Sequence, residues 1–200
     1  MLLSAVLCLT TLMPAAAPAA ELTAKDREFA IKHLEDTRKK FLASIDGLSE
    51  AQWTFKAAPD RWSIAEVAEH IAISESTILG MVNAKIMNAP APEPGAERLS
   101  DQKMLDALVD RSSKFQAPEM LKPTNRWATR EALAKDFNAA RDKTIAYVKE
   151  TKDDLRAHAA PHPVLKSLDG YQWVLLISGH SARHTAQIEE VKTAPGFPKK

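Results

Sequence analysis

Four long stretches of this chain repeat their apolar side chains at helical spacing, and no stretch of comparable length alternates them as a half-buried strand does. The first runs from Thr23 to Ile45, with Phe29, Ala30, Leu34, Phe41, Leu42 and Ile45 along one face. Thr23 stands at the N-cap position and Asp46-Gly47 at the stop. A short turn follows at Leu48 to Trp53, where Ser49 and Gln52 have the spacing of a capping box inside a Leu48/Trp53 staple. The second long helix starts at the box Ser63/Glu66, flanked by Trp62 and Val67, and runs to about Asn88. Ala89-Pro90-Ala91-Pro92-Glu93-Pro94-Gly95 ends it. A connection from Ala89 to about Ala128 comes next, with helical periodicity only over Asp101 to Ser113. The third helix spans about Thr129 to Thr151, and Asp153 to Lys166 reads as a loop. The fourth begins near Ser167 or Asp169 and ends near Thr193, ahead of Pro195. No strand is convincing. The expectation is an all-α fold: a four-helix bundle with one long crossover between helices 2 and 3, in which sites form from side chains on facing helices.

The chain of 200 residues is 45% apolar and 26% charged, with a formal net charge of +1, which suits one domain and offers no basic stripe for nucleic acid. Met1 to Ala20 carry no charged side chain. Leu2 to Met13 is apolar, Pro14 to Ala20 is rich in small residues, and Ala17-Pro18-Ala19 fits a cleavage pattern. Residues 1–20 therefore read as a secretory signal peptide, although a basic n-region is missing. Residues 21–200 read as a single domain, periplasmic or secreted, with no membrane attachment after cleavage. The apolar run is short for a bilayer span. The one cysteine, Cys8, lies in that segment behind Leu7 rather than behind the small residue of a lipoprotein site. A mature chain without cysteine has no disulfide, no thiolate ligand and no cysteine nucleophile.

Six histidines are present. His180 and His184 lie four apart in Gly179-His180-Ser181-Ala182-Arg183-His184, so their rings stack on one helix face and can close on one ion. His70 lies two turns inside the second helix. If the two helices face each other, three imidazoles converge, and three protein ligands with an open position are the arrangement of a catalytic metal. The spacing is also compatible with a half-exposed pair bonded to backbone, water or carboxylates, and with His70 as a satisfied core residue. His33, beside Lys32 and Glu35, reads as solvated. His158 and His162, in a proline-containing loop, read as exposed. Glu66, Glu69 and Gln187 are the nearest second-layer acceptors in sequence, with Glu66 already engaged as a cap.

Trp62-Ser63-Ile64-Ala65-Glu66-Val67-Ala68-Glu69-His70-Ile71 resembles the second-helix signature of the DinB-like superfamily, also called YfiT-like metal-dependent hydrolases. Gly179-His180-x-x-x-His184-x-x-Gln187-Ile188 resembles its fourth-helix signature, and Trp53 and Pro59 fit the lead-in. The resemblance covers roughly Phe29 to Lys192. It implies the four-helix bundle with a long crossover and a divalent metal held by His70, His180 and His184. Zinc or nickel is the expected metal, although imidazole ligands do not select one. It also implies a small-molecule substrate for a metal-dependent hydrolase or a thiol-type transferase, the latter disfavoured by the export signal, and it brings a homodimer into view. The alternative is a non-catalytic metal-binding or interaction bundle, whose site would show a fourth protein ligand or a large loss of stability on chelation.

Overall fold

The computed structural model describes residues 21–92, 95 and 97–199; the segment read as a signal peptide lies outside them. Helix α1 (Ala24–Ile45) opens on Thr23, whose hydroxyl accepts the Asp26 N–H while the Asp26 carboxylate accepts the Thr23 N–H. The same reciprocal box starts the short α2 (Glu50–Trp53) at Ser49/Gln52 and α3 (Ile64–Ala84) at Ser63/Glu66. Ser100 caps α4 (Asp101–Val109), and Thr129 caps α5 (Arg130–Glu150). Asp169 and Gln172 form a further box at the head of α6 (Gly170–Lys192). Each cap satisfies amides that a helix start otherwise leaves unpaired, and is worth about 1 kcal/mol.

The long helices α1, α3, α5 and α6 close into a bundle in which α6 packs on α1 and α3, and α5 packs on the same two. Their directions follow from cross-contacts. Tyr171, at the start of α6, donates its hydroxyl to the Asp26 carbonyl at the start of α1, so these two run together. Arg27, also at the start of α1, donates to the Val148 and Thr151 carbonyls at the end of α5. His70, near the start of α3, meets His184, in the second half of α6. Thus α3 and α5 run parallel to each other and against the other pair. Consecutive parallel helices cannot be joined by a tight turn, and the chain between them must travel back along the bundle. That is the physical content of the expected crossover, which carries 3-10 turns at Ile86–Asn88 and Glu119–Leu121 and the whole of α4. Helix α4 lies against α6 at Gly179, where an added Cβ would stand 2.5 Å from the Leu108 Cδ1.

The core falls into two apolar halves. One gathers Leu34, Ile78, Val82, Ile145, Val148 and Leu175, with α4 contributing Met104, Leu105 and Leu108. The other gathers Phe41, Val67, Ile71, Leu133, Phe137 and Ile188. Between them runs a buried polar layer to which every long helix contributes: Thr37, Ser74, Glu75, Arg141, Thr144, Ser178 and Ser181.

One expectation is corrected. The stretch read as loop contains an antiparallel hairpin, β1 (Ala159–His162) and β2 (Lys166–Asp169), with Ala159 opposite Asp169 and His162 opposite Lys166. Its turn closes with Lys166 at φ 62°, in the left-handed region. Strands of four residues with Pro161 in one of them leave no alternation to read. The pair is held instead by Leu165 and Leu168, both buried, and by the Ala159 N–H on the Pro90 carbonyl. Among the described residues no helix is long and apolar enough to cross a membrane.

Candidate metal centre

His70, His180 and His184 come together. Their ring centroids lie 4.8 Å (His70–His180), 4.5 Å (His70–His184) and 4.4 Å (His180–His184) apart. One ring nitrogen from each lies within 4.8 Å of the other two. The helical repeat of α6 places His184 over His180, and the antiparallel run of α3 brings His70 across from both. His70 is buried, while His180 and His184 are half-buried, so the cluster reaches the surface on the α6 side.

The other nitrogens show which atoms face inward. His70 Nδ1 lies 2.8 Å from the Leu121 carbonyl, which only accepts, so Nδ1 carries the proton and Nε2 is left with its lone pair. His184 Nδ1 donates to Gln187 Oε1 at 2.8 Å, which likewise leaves its Nε2 bare. His180 Nε2 stands 3.1 Å from His70 Nε2. Nitrogens about 2.0–2.1 Å from a tetrahedral zinc stand roughly 3.3 Å from one another, so the donor set has the chemistry a divalent ion needs and its His70–His180 pair has the spacing. The electrostatics agree. Burial holds His70 below the ordinary imidazole value. Burial, reinforced by His184 and His70, holds His180 well below it. Burial and the charge of His70 push His184 down to about 3. The rings are therefore neutral at physiological pH, the state in which imidazole binds metal.

The surrounding groups divide between those the sequence pointed to and those it did not. Gln187 faces the site and orients His184. Glu66 does not face it: its carboxylate takes the Ser63 N–H and the Lys56 ammonium. Glu69 is buried and turned toward the crossover, where it accepts the backbone amides of Thr124, Asn125 and Arg126. Neither glutamate is free to act as a base. The indole of Trp62 lies against His70 at 5.0 Å. The remaining histidines lie outside the cluster, but none is the exposed side chain expected. The His33 ring is half-buried on Phe29 at 4.6 Å. His158, half-buried, bonds the Ala89 carbonyl through Nδ1. His162, half-buried, accepts the Val164 and Leu165 amides and packs its ring 5.4 Å from Trp173. The hairpin turn supplies the two amides that His162 accepts, and the sequence did not reveal it. Leu121 could not have been found from sequence, since it acts through its carbonyl.

The model of the DinB superfamily matches residues 33–188. The uncharacterised protein YuaE of Bacillus subtilis (strain 168) is 28% identical over 148 residues, covering 74% of this chain and 88% of that protein. Among solved structures, the fold is similar to YfiT from Bacillus subtilis, described as a probable metal-dependent hydrolase with an unusual four-helix bundle topology. The TM-score is 0.56 with 16% identity, over 91% of this chain and 94% of that one.

Proposed function

The chain belongs to the DinB superfamily, and from that premise we propose that it is a metal-dependent hydrolase in which His70, His180 and His184 hold one divalent ion and a small molecule is the substrate. The observation that carries this reading is the convergence of three neutral imidazoles with the outward nitrogens of His70 and His184 already engaged. A structural site uses four protein ligands; the described residues bring only three to this point, which leaves a position for water or substrate. A divalent ion held there would lower the pKa of water toward neutrality and polarise a substrate carbonyl or phosphoryl oxygen. The chain's own residues do the rest. The Leu121 carbonyl and Gln187 fix two ring planes, and Trp62 walls off one side of His70. The half-buried edges of His180 and His184 leave the approach open. Export after cleavage near Ala20 is part of the proposal.

The test is metal content by mass spectrometry on the mature protein purified without a histidine tag, compared with His70→Ala and His184→Ala. One equivalent of zinc or nickel in the wild type, lost in both variants, supports the reading and opens a substrate screen. A wild type that holds neither metal after reloading refutes it.

A further inference from the structure

Glu69 and His70 are consecutive residues on α3, and both grip the same piece of the crossover. His70 Nδ1 donates to the Leu121 carbonyl at 2.8 Å. The Glu69 carboxylate, only 4% exposed, accepts Thr124 N–H at 2.7 Å, Asn125 N–H at 2.9 Å and Arg126 N–H at 3.2 Å. Asn125 adopts φ 61°, which turns successive amides inward into a concave anion-binding nest. The nearest cation, the Arg126 guanidinium, stands 4.0 Å away, so backbone amides carry most of the compensation. A carboxylate is costly to bury, and charge-assisted bonds to three amides make this nest a strong clamp. Only Lys122 and Pro123 separate the clamped amides from the carbonyl that orients His70.

We infer that Glu69 is a positioning residue for the metal centre: by clamping residues 124–126 it holds the Leu121 carbonyl on His70 Nδ1 and so fixes the ring for metal binding. The inference rests on the proposed three-histidine site and adds to it the group that sets its affinity. Glutamine has one acceptor oxygen where glutamate has two, and its NH2 would face an amide donor, so Glu69→Gln opens the nest. Loss of the outer acceptor that the clamp holds, the Leu121 carbonyl on His70 Nδ1, weakens metal binding by about 10- to 100-fold.

Two readouts on the full mature protein test this. The first is zinc affinity by chelator competition for wild type, Glu69→Gln, Glu69→Asp and Glu66→Gln. The expectation is at least about 10-fold weaker binding in Glu69→Gln, a smaller loss in Glu69→Asp, which keeps the charge, and no more than about twofold in Glu66→Gln, whose side chain does not touch the crossover. The second is tryptic cleavage after Arg126 in the metal-free protein. Glu69→Gln should be cut faster while its far-ultraviolet circular dichroism matches wild type. Wild-type zinc affinity in both Glu69 variants overturns the inference and leaves the three-histidine reading standing. If the wild type binds no metal, the functional reading falls, and unchanged cleavage in Glu69→Gln overturns the clamp separately. Should Glu69→Gln not fold, the Glu69→Asp comparison decides.

Discussion

Replacing Arg141 with leucine should destabilise the protein by about 3–5 kcal/mol, and replacing Glu75 with leucine in the same chain should restore much of the loss. Both side chains are out of water, Arg141 at 0% and Glu75 at 1% exposure. The guanidinium meets the carboxylate through two nitrogens, Nε reaching Oε2 at 2.8 Å and Nη2 reaching Oε1. It also donates to the Leu34 carbonyl, to Thr37 Oγ1 at 2.8 Å and to Ser181 Oγ at 2.9 Å. Arg141→Leu leaves the Glu75 carboxylate with one partner among these, the Ser181 hydroxyl at 3.0 Å. An uncompensated buried charge is the source of the cost. With both charges gone, what remains is the loss of bonds to Thr37, Leu34 and Ser181, about 1–2 kcal/mol together with repacking. Urea unfolding of the metal-free wild type, both single variants and the double variant closes the cycle, provided the slope with urea stays constant. A coupling of at least about 2 kcal/mol is expected. Single effects that add to within about 0.5 kcal/mol, or an Arg141→Leu cost below about 1 kcal/mol, would refute the reasoning.

Acid should destabilise the metal-free protein well before its carboxylates titrate. His70, His180 and His184 all titrate lower in the folded state than the ordinary value of 6.5, His184 at about 3. The unfolded chain therefore binds more protons in that window. The stability these groups contribute is complete above about pH 6.5 and is lost as pH falls toward 3. The urea midpoint should drop between pH 7.5 and 5.0, with a shallower slope in His184→Gln; a flat midpoint contradicts the burial of the cluster. Gly170→Ala should cost about 1–3 kcal/mol in the same assay, because the new Cβ would stand 2.8 Å from the Leu155 carbonyl, which the Tyr171 N–H already holds in place. An unchanged midpoint would show that this turn yields. Arg183→Ala should speed amide exchange over residues 108–115, since that guanidinium binds the Leu108, Asp110 and Ser113 carbonyls and lies over the Phe115 ring; unaltered exchange there would assign the segment's order to other contacts.

What could be read from the sequence was local. The boxes at Ser49/Gln52 and Ser63/Glu66 are four-residue patterns, and they appear in the structure as written. The spacing of His180 and His184 is one helical turn, and the likeness to known helix signatures brought in His70 from a distant segment. The interactions that were missed link residues far apart or act through the main chain. Glu75 and Arg141 are separated by 66 positions, and nothing in either neighbourhood announces the other. Leu121 and the amides of Thr124 to Arg126 act as backbone, so their side chains carry no trace of the role. The hairpin escaped because four-residue strands fall below the length at which alternation is legible. His33 and His162 were misjudged for a related reason: an aromatic neighbour covers each ring, Phe29 from the preceding helical turn in one case and Trp173 from the following helix in the other.

The topology and the site require each other. In a bundle of alternating helices joined by short loops, nearly every carbonyl at mid-height belongs to a helix and already accepts the amide four residues on. An imidazole at the waist of such a bundle finds side-chain acceptors but scarcely any free backbone. Here the parallel run of α3 and α5 forces irregular chain past the flank of α3, and that chain presents a carbonyl, at Leu121, with room for an outside donor. The same stretch offers three amides to Glu69 one residue earlier on α3. The polar waist fits the same logic. Seven buried polar side chains between two apolar halves would weaken a bundle whose core had only to be stable. Ser181 follows His180, and the Ser74 hydroxyl bonds the His70 carbonyl, so this layer adjoins the histidines from inside the bundle while the crossover holds them from outside. A crossover shortened to remove residues 119–126 should therefore leave the two apolar halves intact and disorder the His70 ring. The test is whether the variant keeps its cooperative unfolding while losing zinc affinity. Loss of cooperative unfolding in the shortened chain would show that the crossover serves the fold before it serves the site.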